Sequence, residues 1–156
     1  AVFEILRRPD TVVVYPVLPD GRILLTRQEQ PGKAPFIGAA GGRVDPGEDP
    51  EHAAIRELRE ETGYRVERLE LWDARQITSK LDWVVYTFIA HEVTPDAAGA
   101  ALDAGEKIDL LPVTFDEMLG LAARGELAEA EMVPVFLHAY YNADRKKELQ
   151  KLFFPG

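Results

Sequence analysis

Residues 42–64 read G-R-V-D-P-G-E-D-P-E-H-A-A-I-R-E-L-R-E-E-T-G-Y, a glycine-rich turn that runs into a short helix carrying Glu57, Glu60 and Glu61. Positions i, i+3 and i+4 share one helix face, so the three carboxylates fall within a sector of roughly 100°. Three acidic groups on one stripe repel one another unless a cation joins them. Gly41, Gly42 and Gly47 ahead of the helix allow tight or left-handed backbone and close approach to a ligand. The segment is a place to hold a hard divalent metal beside a phosphate.

The helix has clear ends. Asp49 is a good N-cap, Pro50 suits the first helical position, and Gly63 sits where a left-handed residue stops the helix. Between them lie about four turns. Ala54, Ile55, Leu58 and Thr62 form a second stripe that would pack on a core and leave the acidic face at its edge. His52 points away from the acids and is expected at the surface. A solvated amphipathic helix with a charged face would explain E-L-R-E-E alone; the glycine turn and Glu48 ahead of it ask for more.

The segment resembles the Nudix box, G-x5-E-x7-R-E-U-x-E-E-x-G-U with U a bulky aliphatic, through Gly42, Glu48, Arg56, Glu57, Leu58, Glu60, Glu61 and Gly63. Only the last position departs, with Tyr64 for the aliphatic. The resemblance implies an α/β fold, a Nudix-type α/β/α sandwich with a mixed β-sheet, and hydrolysis of a nucleoside diphosphate linked to another moiety. It further implies metal ligands at Glu57, Glu60, Glu61 and the Gly41 carbonyl, and an Arg56 that pairs with an acidic neighbour such as Glu48 to orient them. Pyrophosphate hydrolysis builds negative charge on both phosphate groups, which bound divalent ions stabilise while lowering the pKa of a coordinated water.

At 156 residues with 46% hydrophobic content, one domain over residues 1–156 is expected. The absence of cysteine excludes disulfides, a thiolate metal site and a cysteine nucleophile, so the acidic oxygens suit Mg2+ or Mn2+ rather than zinc. A reducing cytoplasm is compatible with this composition, and no apolar run approaches the ~20 residues needed to span a bilayer. A net charge of -9 argues against binding nucleic acid through its backbone. Phosphate-bearing substrates must then be small and metal-escorted. The chain begins at Ala1 without methionine, so an N-terminal piece is expected to be missing or processed.

Outside the box, Val2 to Leu6 and Thr11 to Leu18 read as strands, and Pro19-Asp20-Gly21 as the turn of a hairpin joining Val12–Val17 to Arg22–Gln28. Val66 to Ile77, Trp83 to Val93 and Ile108 to Val113 are further strands. Thr114 and Glu117 make a capping box for a helix ending near Gly125, and a last helix should run from Val133 to Leu149. Phe136, Leu137, Tyr140 and Tyr141 on it could form a homodimer seam or pack on the chain's own sheet.

Several of these stretches look like the ADP-ribose pyrophosphatase branch of the family. There a loop glutamate shortly before a similar strand activates the attacking water, which here is Glu106 in Gly105-Glu106-Lys107-Ile108; otherwise Glu60 or Glu61 must do so. Arg27, Gln30, Gly41 and Gly42 are candidate substrate contacts, with Arg75 and Lys80 as further basic residues. Trp72, Trp83, Tyr86 and Phe88 either stack on a base or fill the core.

The chain departs from the branch at Gln28-Glu29-Gln30, where an amide replaces the arginine that would meet substrate, and at Gly38, where a glutamate is common. It also has Ser79-Lys80-Leu81 in place of a proline segment, and lacks most of an N-terminal strand region that exchanges between subunits. ADP-ribose or another nucleotide sugar is the leading substrate class. Nucleoside triphosphates, dinucleoside polyphosphates, or a non-catalytic nucleotide-sugar sensor are the alternatives; a sensor should have lost box carboxylates, and this box keeps them all.

Overall fold

The computed structural model describes residues 2–156. In chain order the elements are β1 (Leu6–Arg7), β2 (Thr11–Pro16), β3 (Ile23–Glu29), β4 (Phe36–Gly38), β5 (Ala40–Arg43), α1 (Pro50–Thr62), β6 (Tyr64–Gln76), β7 (Leu81–Asp82), β8 (Val84–Pro95), β9 (Lys107–Val113), α2 (Phe115–Ala123), α3 (Val133–Tyr141) and α4 (Ala143–Phe153). The apolar run of β2 is buried from Val12 to Pro16, which places it inside a sheet covered on both faces. It lies between β8, parallel to it, and β5, antiparallel, with β6 antiparallel to β8 at the far edge. A second sheet has order β4-β3-β9, and β1 pairs with β7.

Strand alternation divides the β2 side chains between two cores. Val12 and Val14 pack with Ala53, Ala54 and Leu58 of α1 and with Phe88 and Val93. Val13 and Tyr15 face α2, α3 and α4 through Phe115, Met118, Phe136, Leu149 and Phe153. Leu24 and Leu25 of β3 split in the same way. The result is a mixed α/β fold with helices on both faces and a mixed sheet. Leu58 is fully buried, so truncation to alanine should cost about 2–5 kcal/mol and loosen α1. No helix among the described residues is long and apolar enough to cross a membrane.

Four expectations need correction. The turn at Pro19–Gly21 forms, with Gly21 N–H donating to Leu18 O at 2.9 Å, but the flanking strands do not make a hairpin. They separate into different sheets after one bridge, Val17 to Ile23, because both are buried on both faces and each needs its own strand partners. The N-terminal strand is only Leu6–Arg7, whose partner β7 is itself two residues long, and Val2 and Phe3 ahead of it are 92% and 87% exposed. The last helix is two helices, broken at Asn142, whose extended backbone ends α3 and whose side chain accepts from Asp144 N–H and Arg145 N–H to start α4. Ile55 is exposed and Ala53 takes its place in the core. Between the two readings of the Phe136–Tyr141 stretch, Phe136 takes the packing one, buried in the chain's own core, while Tyr140 and Tyr141 stay exposed.

Glu129, in the segment between α2 and α3, is buried beneath the junction of β4 and β5. Its carboxylate accepts from the Ala39 N–H and from the Tyr15 hydroxyl. Burial, with repulsion from Glu131, raises its pKa from 4.5 to about 7 against the opposing Ala39 hydrogen bond. The native state therefore holds this proton more tightly than the unfolded chain. Stability from this group is complete below pH 4.5 and is lost as pH rises through about 7. Glu129→Gln should melt close to wild type at pH 4.5 and progressively above it towards pH 8. A difference in melting temperature that does not change with pH would contradict this assignment.

Candidate active site

The box begins on β5 rather than in a turn, and this corrects the reading of its glycines. Gly41 and Gly42 have ordinary extended backbone, and their lack of a side chain serves close packing: a Cβ on Gly41 would strike the Val12 carbonyl, and one on Gly42 would overlap the Glu57 carboxylate. Gly47 has φ 78° and turns the loop that follows. Asp49 then caps α1 by accepting from His52 N–H, with Pro50 in the first turn. Gly63 closes the helix at φ 74°. The sheet thus hands its backbone directly to the acidic helix face.

Arg56 is the hub of this segment. Its Nε and Nη2 donate to the two oxygens of Glu48, both at 2.9 Å, the pairing anticipated from the sequence. Nη2 also donates to the Arg43 carbonyl at 3.0 Å, and Nη1 to Glu57 at 2.9 Å and Glu60 at 3.3 Å. One guanidinium therefore ties strand, loop and helix together. The Arg56 hydrogen bonds hold the Glu48 carboxyl down to about 2.

The remaining carboxylates face the opposite pressure. Glu61 is 9% exposed, and one of its oxygens accepts from the Gly41 N–H at 2.9 Å. Burial pushes its pKa up to about 8, opposed by the Gly41 bond and reinforced by Glu57, Glu106 and Glu60. Burial also raises Glu57, opposed by Arg56. Among the described residues no three acidic or histidine side chains converge as a ready-made ion cage, since Glu57 and Glu60 each turn one oxygen to Arg56. The donor set nonetheless fits a hard cation. Glu57, Glu60 and Glu61 each have a second oxygen outside those bonds, and a divalent charge would relieve the repulsion that raises Glu61.

These groups line one cleft of about 630 Å³, together with Gly41, Gly42, Gln30 and Glu106. Glu106 arrives on the loop after β8, which is pinned to the end of α1 by Asp96 N–H to Gly63 O at 2.7 Å and Ala101 N–H to Glu60 O at 2.8 Å. Gly63 leaves room for that approach; a Cβ there would come within 2.9 Å of the Ala100 nitrogen. Arg8, Lys33, Arg43 and Asp103 also line the cleft and were not singled out from the sequence. The Pro31-Gly32-Lys33 loop beside Gln30 was the available signal for Lys33.

Arg27 is the candidate that the fold keeps out. On β3, Thr26 and Gln28 are buried while Arg27 points the other way, into a separate groove with Phe36 and Leu127. Arg75 is engaged by Asp73 and the Glu131 carbonyl. Trp72 packs edge-to-face on Phe153 and Tyr15, and Phe88 is buried. None of the four aromatics lines the cleft; Trp83 touches two residues that do, its Nε1 donating to Thr11 at 2.9 Å and the Arg8 guanidinium lying 3.9 Å from its ring centroid. His52 is exposed and pairs with Asp49.

A NUDIX domain model matches residues 7–136. The ADP-ribose pyrophosphatase of Bacillus subtilis (strain 168) is 31% identical over 130 residues, covering 82% of this chain and 70% of that protein. The methanol dehydrogenase activator of Bacillus methanolicus is 34% identical over 119 residues, covering 74% of this chain and 64% of that protein. The crystal structure of an ADP compounds hydrolase superposes with a TM-score of 0.72 at 22% identity, covering 92% of this chain and 74% of that one. At that identity the structural likeness shows the fold alone.

The packing of Glu57 on Gly42 can be tested directly. Gly42→Ala should displace the carboxylate and weaken Mn2+ binding about 10–100-fold, measured by titration calorimetry, while circular dichroism stays that of wild type. Unchanged affinity would show that the close approach does not set the carboxylate.

Proposed function

The chain belongs to the Nudix family and is a pyrophosphohydrolase, and from that premise we propose that it cleaves the pyrophosphate bond of a nucleoside diphosphate linked to another moiety. A nucleotide sugar such as ADP-ribose is the first choice of substrate, with Mg2+ or Mn2+ as cofactor. The observation that carries this reading is the meeting of Glu106 with Glu57, Glu60 and Glu61 in one cleft whose rim also bears Arg8 and Lys33. Acids of this kind serve a phosphoryl transfer, and cations at the rim serve its anionic substrate.

A divalent ion would be held by Glu57, Glu60, Glu61 and the Gly41 carbonyl, where it would supply positive charge to the phosphate oxygens and lower the pKa of a coordinated water. Glu48 and Arg56 hold the helix carboxylates against β5. Glu106 is half-exposed in the cleft, takes the proton from the attacking water, and has its carboxylate held by the Asp103 N–H at 3.2 Å. Lys33 receives the phosphates as a point charge and Arg8 through its planar guanidinium, and both stabilise the developing negative charge.

The test is phosphate release, after coupled phosphatase treatment, from ADP-ribose, other nucleotide sugars, dinucleoside polyphosphates and triphosphates, with Mg2+, Mn2+ or chelator. Metal-dependent cleavage of a nucleotide sugar is expected; tight binding without cleavage would make the cleft a sensor. Glu61→Gln should remove most activity with the fold intact, and full activity would sink the metal assignment. Glu106→Gln should lower kcat about 10²–10⁴-fold. Unchanged turnover in that variant would move the base to the box.

A further inference from the structure

Thr26, Gln28 and Gln30 alternate along β3 and its continuation, so their side chains share one side of the strand. They form a hydrogen-bonded row that ends in the cleft. Thr26 Oγ1 lies 3.0 Å from the Gly38 carbonyl, Gln28 Nε2 lies 2.9 Å from Thr26 Oγ1, and Gln30 Nε2 lies 3.2 Å from Gln28 Oε1. Thr26 and Gln28 are 0% and 3% exposed, so water does not compete for these bonds. Gln30, half-buried, is the member that lines the cleft.

Elementary donor and acceptor chemistry gives this row one direction. A backbone carbonyl can only accept, so the Thr26 hydroxyl spends its single proton on Gly38. Its oxygen then offers only lone pairs, and the Gln28 amide must turn its NH2 group towards it. The Gln28 carbonyl oxygen is thereby aimed at Gln30, which must turn its own NH2 inward. The acceptor oxygen is the group that Gln30 is left to present to the cleft. Reversing it would set two carbonyl oxygens against each other at Gln28 and leave a buried acceptor without a donor, which is costly.

We propose that Gln30 is a specificity-determining residue whose fixed amide oxygen accepts a hydrogen bond from an uncharged donor on the substrate, a sugar hydroxyl, and disfavours a terminal phosphate at that position. Glu29 is paired with Lys107 across β3 and β9, and the next residue on each side, Gln30 and Glu106, the proposed proton acceptor, lines the same cleft. A phosphate there would bring only acceptor oxygens and negative charge to an acceptor oxygen and a carboxylate. A hydroxyl brings the missing proton. Lys33, exposed on the adjoining turn, is free to follow the pyrophosphate, whereas Gln30 is fixed by buried partners. Thr26 and Gln28 act through Gln30 and are positioning residues. The inference rests on the proposed function and narrows it to substrates whose second moiety carries hydroxyls.

The experiment compares kcat and KM for ADP-ribose with the inhibition constant of ATP as a competitor, in wild type, Gln30→Leu, Gln30→Arg and Thr26→Val. Gln30→Leu should raise the ADP-ribose KM about tenfold, the scale of one lost hydrogen bond, and move the ATP constant less than about twofold. Gln30→Arg should make ATP compete at least about tenfold better. Thr26→Val frees the row to reverse, so it should raise the ADP-ribose KM severalfold, and adding Gln30→Leu to it should raise KM little further. Equal effects of Gln30→Leu on both compounds, or additive effects of the two substitutions, would overturn the inference while leaving the hydrolase reading in place. Cleavage of no nucleotide sugar by the wild-type protein would overturn both.

Discussion

The arrangement of the cleft depends on how four carboxylates are held close together in a chain that already carries a net charge of -9. Arg56 bears much of that burden. Its five hydrogen bonds reach the Arg43 carbonyl, Glu48, Glu57 and Glu60, so a single charge both offsets repulsion and fixes where the oxygens lie. Planar, delocalised geometry is what makes this feasible, because a lysine ammonium could not grip both Glu48 oxygens while reaching the other groups. Glu61 is beyond that guanidinium and relies on the Gly41 N–H instead. Burial, with no guanidinium to oppose it, therefore pushes its carboxyl up furthest of the box acids.

Hydrophobic packing decides where this charged assembly sits. Ala53, Ala54 and Leu58 anchor α1 on Val12 and Val14 of β2, while the opposite side chains of β2 are committed to the C-terminal helices. The helix is thereby held by one stripe with its acidic stripe at the sheet's margin. There the glycine backbone of β5 supplies what a side chain would block. The loop after β8 closes the arrangement because its backbone bonds to Glu60 and Gly63 carbonyls at the end of α1. Those bonds satisfy terminal carbonyls that have no partner within the helix.

Much of the site was legible because it is local. The caps at Asp49 and Gly63, the capping box at Thr114 and Glu117, and the acidic stripe follow from spacing within a few residues, and the structure shows each of them. The readings that failed concern partners remote in sequence. The turn at Pro19–Gly21 is real, but pairing across it lost to the pairing of β2 with β5 and β8, and of β3 with β4 and β9. Apolar periodicity ran unbroken through Asn142, where a side chain that bonds two backbone N–H groups restarts the helix. Arg27 looked as available as Gln30 until the phase of β3 was known.

The sequence by itself determined the box helix, its ends, its acidic face and the family, since these rest on covalent geometry and on residues a few positions apart. Only the tertiary structure decided which distant groups join that face. The pairing of β3 with β9, which ends at Glu29 and Lys107, brings Gln30 and Glu106 into one cleft, strand alternation turns Arg27 away, and Glu129 is buried under Ala39 by the packing of the segment before α3. The physical reason is that strand pairing and layer packing are chosen by the chain as a whole. No short stretch carries enough interaction energy to fix them alone.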